Sequence, residues 1–179
     1  MSADETPQRL DDGSDPCSAA NLLARLEELG IAETTLEHEP VFTVEEAKAV
    51  RGRLEGAHSK NLFLRNKKGR MWLVVCPEDR MIDLKDLGRR LGAGRFSFGS
   101  ADRLMRYLGV IPGAVTPFAA INDTGAAVTV VIDRALLQQR PLNFHPLDNA
   151  MTTAIEPEDL VRFLEAVGHP PEIVDLDEA

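Results

Sequence analysis

Two apolar runs in the middle of the chain, Asn61-Leu62-Phe63-Leu64-Arg65 and Met71-Trp72-Leu73-Val74-Val75-Cys76, are separated only by Asn66, Lys67, Lys68 and Gly69. Short apolar runs bounded by turn residues read as strands, and a connection this short folds them into an antiparallel hairpin. A hairpin needs further elements to bury it, and these are legible on both sides. Ser18 caps a helix that ends at Gly30, with Leu22, Leu23, Leu26 and Leu29 on one face. Thr35 to Glu39 reads as a strand. Thr43, followed by Glu46, forms a capping box that opens a helix toward Val50.

Beyond the hairpin, Asp83 to Leu91 is a predicted helix stopped by Gly92, and Ser100 caps another from Ala101 to Leu108, ended by Gly109. Pro112 to Pro117 is a loop. Phe118 to Asn122 and Val128 to Ile132 are predicted strands joined through Asp123, Thr124 and Gly125. Leu142 to Phe144 and Met151 to Ala154 are short strands. Glu156 to Val167 is a helix with Pro157 in its tolerant first turn, and Ile173 to Leu176 is an edge strand. Hairpins interleaved with helices predict an α+β domain rather than a doubly wound sheet. The chain of 179 residues suffices for one domain over residues 18–179, behind a flexible tail over residues 1–17 rich in Asp, Ser and Pro.

Several function classes drop out. No apolar run approaches the roughly 20 residues of a membrane helix. Met1 to Asp15 carries acids, a proline and no apolar core, unlike a secretory signal, so a cytoplasmic protein away from membranes is expected. Cys17 and Cys76 make neither a disulfide framework nor a metal site, and the four histidines lack zinc-ligand spacing. No metal and no cofactor is expected. There is no nucleophile elbow, phosphate-binding glycine loop or zinc-protease helix, and Gly92, Gly94 and Gly99 do not match a dinucleotide fingerprint.

Net charge is −9, but it is segregated. Lys48 to Arg106 holds fifteen Lys/Arg against six Asp/Glu, a local +9 between acidic ends. A basic middle can steer a polyanion even on an acidic protein, although charges grouped in sequence need not be grouped in space.

Three segments carry candidate chemistry. His58-Ser59-Lys60-Asn61 sits at the entrance to an apolar strand, where Lys60 is flanked by a hydroxyl and an amide suited to a substrate's polar groups. A lysine there is ordinarily just exposed. Gly113-Ala114-Val115-Thr116-Pro117 is by default a strand-entry loop, but such a loop can present backbone N–H groups to a carbonyl oxygen. His145, in Asn143-Phe144-His145-Pro146-Leu147, is of a kind more often structural than catalytic, yet it can orient a substrate or a water.

Together these segments resemble the YbaK/prolyl-tRNA synthetase editing family over most of the chain, from about Asn21 to Leu176. The stretches that carry the likeness are His58 to Leu64, Lys68 to Val75, Leu91 to Phe98, Gly113 to Asn122, Asn143 to Pro146 and Thr152 to Ile155. Within the family, the alanine-specific trans-editing subgroup, ProXp-ala, is the nearest likeness. The resemblance implies a mixed, strongly curved sheet of about six or seven strands surrounded by helices. It places the family lysine at Lys60, the G-x-x-x-P loop at Gly113 and Pro117, and the subgroup histidine at His145. Asn61 and Arg95 fall on further family positions, and the loop interior of Ala114, Val115 and Thr116 faces substrate.

The implied activity is hydrolysis of the ester of mischarged alanyl-tRNA(Pro), in trans because no synthetase domain is present. Lys60 would be a cation that anchors the terminal nucleotide, not a general base. The implied partners are the acceptor end of proline tRNA and, transiently, prolyl-tRNA synthetase. Other members remove cysteine, serine or threonine, which keeps those substrates as alternatives. From other classes, a non-catalytic tRNA-binding module and a small-molecule-binding regulator stay open.

Overall fold

The computed structural model describes residues 8–40, 45, 46, 49 and 54–177. Its strands are β1 (Thr34–Glu37), β2 (Ala57–Asn66), β3 (Met71–Pro77), β4 (Phe96–Phe98), β5 (Val128–Asp133), β6 (Leu142–Phe144), β7 (Met151–Ile155) and β8 (Glu172–Val174). Its α-helices are α1 (Ala19–Glu28), α2 (Leu84–Arg90), α3 (Ala101–Leu108) and α4 (Pro157–Ala166). The predicted capping box of Thr43 and its helix toward Val50 fall largely outside the described residues; Glu45, Glu46 and Ala49 are helical.

The caps form where short polar side chains meet the orphan N–H groups of a first turn. Ser18 and Asn21 exchange a complete capping box, Asp83 accepts from Lys85 and Asp86, and Ser100 accepts from Arg103. The β2–β3 turn closes with the Gly69 N–H donating to the Asn66 carbonyl at 3.0 Å, and Gly69 takes φ +83°, which costs glycine nothing.

The strand order is β1-β7-β6-β2-β3-β5-β8, with β4 pairing β2 beside that path. β2 and β3 are antiparallel, whereas β2–β6, β3–β5 and β5–β8 are parallel, so the sheet is mixed. One face packs the main core, where Phe63, Leu73, Val75, Val130, Leu142 and Phe144 meet α1, α3 and α4. Leu22 and Leu26 of α1 are fully buried there, a change of environment worth about 1.5–3 kcal/mol for each. On the other face, Leu64, Trp72, Val74 and Val131 pack with Leu87 of α2 and Phe96. Gly88 lets α2 approach: a Cβ there would lie 1.9 Å from the Gly94 carbonyl oxygen.

The sheet departs from the sequence expectations in three places. Pro117–Asn122 is a 3-10 helix, not a strand: Thr116 caps it by accepting from the Phe118 N–H, and Pro117 starts it. Phe96–Phe98 is a strand that the sequence reading missed; among the described residues the expected mixed sheet, with helices around it, has eight strands. β2 begins at Ala57, so Lys60 lies inside the strand, not at its entrance. Two of the described residues before α1 are tied to the domain. The Asp11 N–H donates to the Arg106 carbonyl at 2.7 Å, and the Cys17 N–H to Asn122 Oδ1 at 2.9 Å. No helix among the described residues is long and apolar enough to cross a membrane.

Candidate active site

β2 has β3 along one edge from Ser59 to Arg65. Its other edge is divided: β6 pairs Ala57 and His58, and β4 pairs Leu64 to Asn66. Between them, residues 59–62 have no strand beside them among the described residues. Among the described residues, the central strand is therefore open where the candidate lysine lies.

Strand alternation sorts the side chains. Asn61 shares its face with Ala57 and Phe63, on the main core, which also holds Ala114 and, at its margin, Val115. Lys60 shares the opposite face with Leu62, Leu64 and His58. The structure thus separates Lys60 from the flanking Ser59 and Asn61, which bond each other instead, Asn61 Nδ2 donating to Ser59 Oγ at 3.3 Å. Parallel pairing of His58 with Asn143 puts Asn143 on the lysine face. Lys60 stands two residues further along β2 on that face, and His145 lies just past the end of β6.

Asn143 is 5% exposed, and its amide nitrogen donates to the carbonyls of Glu55 at 2.9 Å and Ala57 at 3.2 Å. Both amide protons are used, which fixes the orientation of the group. Its Oδ1 is buried without a hydrogen-bond partner among the described residues, as is Asn61 Oδ1. Buried acceptors in that state are rare, since each leaves about 1–3 kcal/mol of desolvation uncompensated.

His145 Nδ1 lies 2.8 Å from the Met151 carbonyl oxygen. A carbonyl only accepts, so Nδ1 carries the proton and a neutral ring keeps Nε2 as an acceptor. Burial pushes the His145 pKa below the usual histidine value; the Met151 carbonyl and Asp148 oppose this, and His38 adds to it. The His38 ring centroid is 6.2 Å from that of His145, and His38 Nε2 is 2.8 Å from Thr152 Oγ1.

The loop is more ordered than its sequence suggests. Pro112–Ala114 forms one 3-10 turn, whose Ala114 N–H donates to the Ile111 carbonyl at 2.9 Å. That amide is occupied and Pro117 has none, which leaves Gly113, Val115 and Thr116 as the loop's candidate donors. Thr116 and Pro117 are buried, whereas Gly113 is exposed. Asn122 and Asp123 anchor the far end. Asn122 Nδ2 donates to the Leu108 carbonyl at 2.9 Å, and Asp123 accepts from the Ala127 and Val128 N–H groups at 3.1 and 2.7 Å.

Arg95 lies away from Lys60, just before β4, where it lines a shallow cavity with Arg65, Asn66, Lys67, Phe96 and Ser97. The cysteine nearest the lysine is no nucleophile. Cys76 is fully buried, and burial pushes its thiol up to about 11, against the opposing charge of Lys60.

The aminoacyl-tRNA editing domain matches residues 38–163, which include β2, the loop and β6. The chain belongs to that family. It is 41% identical over 156 residues to the prolyl-tRNA editing protein ProX of Acetoanaerobium sticklandii, covering 87% of this chain and 95% of the relative. It is 42% identical over 163 residues to prolyl-tRNA synthetase associated domain-containing protein 1 of Mus musculus, covering 88% and 96%. Among solved structures, one described as a candidate trans-editing enzyme for prolyl tRNA synthetase superposes with a TM-score of 0.69 at 19% identity, covering 91% of this chain and 99% of that one. At that identity the likeness speaks for the editing-domain fold.

Sequence reasoning gave roles to Lys60 and His145, met Asn143 and Thr152 only as members of the stretches that carry the resemblance, and passed over His38. Nothing in the local sequence marks an asparagine whose amide protons will be taken by carbonyls about 86 residues away.

Proposed function

We propose that this editing-domain protein is an aminoacyl-tRNA deacylase that acts in trans on mischarged proline tRNA, with alanyl-tRNA(Pro) as its substrate. The observation that carries the reading is the placing of Lys60 and the buried acceptor of Asn143 on one face of the sheet, with the neutral His145 just past the end of β6, beside a stretch of β2 that has no strand on this edge among the described residues.

The substrate bond is an ester between an amino acid and the terminal ribose. Water attacks its carbonyl carbon, the ester C–O bond breaks, and the ribose oxygen leaves with a proton. Negative charge grows on the carbonyl oxygen during attack. Fixed N–H donors at Gly113, Val115 and Thr116 suit that charge without a covalent nucleophile. Ser59 is bonded to Asn61 and the Cys76 thiol is raised and buried, which also favours direct attack by water. Lys60 supplies a cation for the terminal nucleotide. His145 Nε2 accepts from the water or from a ribose hydroxyl, and the resemblance adds the free 2′-hydroxyl as a group that helps place that water.

Alanine is favoured because proline is larger, and a small pocket rejects a larger residue by collision. Excluding something smaller by one methylene is harder, at about 1–3 kcal/mol. The test is direct: the purified protein is incubated with alanyl-, cysteinyl-, seryl- and prolyl-tRNA(Pro), and released amino acid is counted. Selective release of alanine supports the reading. Release of another amino acid replaces the substrate, and tRNA binding without release of any overturns the activity.

A further inference from the structure

The basic segment between Lys48 and Arg106 is not uniformly basic in space. Arg80 pairs with Asp133 at 2.9 Å and with Asp177; Arg89 and Arg90 pair with Asp86; Arg106 pairs with Asp11 and Asp102. By contrast, Arg65, Lys67, Lys68 and Arg95 have no ion pair among the described residues, and Arg70 lies over the Trp72 ring, 5.5 Å from its centroid. Lys60, Lys85 and Arg103 are likewise without an ion pair among the described residues, and the largest group of such charges lies at the tip of the β2–β3 hairpin and the start of β4.

Phe98, in β4, is 62% exposed; Arg65, paired with Ser97, lies on the opposite face, whereas Arg70 lies over Trp72, which pairs Leu64 on the face of Phe98. The pairing of Phe98 with Leu64 puts it on the face of β2 that carries Leu62 and Lys60. It borders the open stretch of that strand, on the side opposite β6. Four residues of strand separate Leu64 from Lys60, about 13 Å. A single exposed apolar side chain is ordinary on a protein surface. An exposed ring on the same face as a cation, bordering an open strand edge, is the arrangement that holds single-stranded nucleic acid, with bases on the aromatic face and phosphates on the basic groups.

We propose that Phe98 is a stacking platform for a base of the unpaired 3′ end of tRNA, and that Lys67, Lys68 and Arg70, at the hairpin tip, hold phosphates of the strand leading to it. This rests on the deacylase reading for the identity of the RNA. It adds where the strand lies: along the β4 side of the open edge, its end pointing to Lys60.

The test uses the full chain and two uncharged RNA hairpins, one with a four-nucleotide 3′ overhang and one blunt, with affinity read by fluorescence anisotropy. Wild-type protein should prefer the overhang. Phe98→Ala should weaken overhang binding about five- to 150-fold and leave blunt binding unchanged, whereas Phe98→Trp should retain affinity. Lys67→Ala with Lys68→Ala should weaken both RNAs and reduce the log–log salt slope by about 0.7–0.9 for each phosphate no longer neutralised. Equal affinity of wild-type protein for the two RNAs, or a Phe98→Ala protein of unchanged melting temperature that binds the overhang normally, overturns the platform. Alanyl-tRNA(Pro) hydrolysis is measured in parallel. Unchanged KM in Phe98→Ala beside normal wild-type turnover removes the platform and leaves the deacylase. Overhang-dependent binding by a wild-type protein without turnover removes the deacylase and leaves the platform.

Discussion

His169 and Asp123 test how firmly the end of the candidate loop is clamped. Their side chains are 3% and 4% exposed, with His169 Nε2 2.9 Å from Asp123 Oδ2. The other ring nitrogen, Nδ1, lies 3.1 Å from the Val167 carbonyl. Both nitrogens thus face acceptors, and the imidazolium is the form that satisfies both. Burial by itself would lower the His169 pKa, but the bonds to Asp123 and to the Val167 carbonyl outweigh it, and the value is raised. A raised folded pKa means that the stabilisation is fully present below the unfolded value of about 6.5 and is lost as pH rises through the folded value.

His169→Ala removes one charge-assisted hydrogen bond, worth about 1.5–3 kcal/mol, and leaves Asp123 with its two backbone donors. For a chain of this size that corresponds to a melting temperature lower by roughly 3–12 °C near pH 6. Asp123→Ala strands the Ala127 and Val128 N–H groups as well, so it should destabilise more at every pH. Calorimetric melting of the three proteins between pH 5.5 and 9 decides the matter. The gap between wild type and His169→Ala should narrow as pH rises. A gap that is constant or widens, or a His169→Ala protein less stable than Asp123→Ala, refutes the reasoning.

Lys60→Ala should lower alanyl-tRNA(Pro) hydrolysis at least tenfold, the loss of about 1.4 kcal/mol of transition-state stabilisation, with an unchanged melting temperature; near wild-type turnover would remove Lys60 from the mechanism. The hydrolysis rate should fall as pH drops through the lowered pKa of His145, below about 6.5, because protonation removes the Nε2 acceptor, and His145→Ala should abolish that acid limb. Gly113→Val should slow hydrolysis at constant melting temperature, whereas Thr116→Ala removes a buried cap and should cost about 0.5–2 kcal/mol of stability. Loss of activity in Gly113→Val that merely tracks unfolding would assign that glycine to the turn alone.

Elements governed by local chemistry were legible in the sequence. Ser18, Asp83 and Ser100 mark helix starts because capping needs only a side chain and the next turn. The β2–β3 hairpin follows from four turn residues between apolar runs. Phe118-Ala119-Ala120-Ile121 misled because a short apolar run is ambiguous between strand and helix. The deciding signal was Thr116-Pro117, a cap followed by a proline at the first helical position. Phe96-Ser97-Phe98 is too short to show alternation between Gly94 and Gly99, and only its partner β2 makes it a strand. Of the site, the sequence could propose Lys60 and His145 as residues. That Asn143 has a pinned amide and an orphan oxygen depends on strands brought together from distant parts of the chain.

That distance has a consequence for the chain during synthesis. The β2–β3 hairpin closes locally and can form within microseconds of being available. The bond from Asn143 to the Ala57 carbonyl joins residues 86 apart, and β6 is itself flanked by β7, which ends at Ile155. Pairings of such long range form late, because loop closure must precede them. At about 5–20 residues per second, several seconds of translation separate emergence of the lysine strand from emergence of its partner. A nascent chain surrounded by charged tRNA therefore holds only half of this candidate face until the domain is nearly complete.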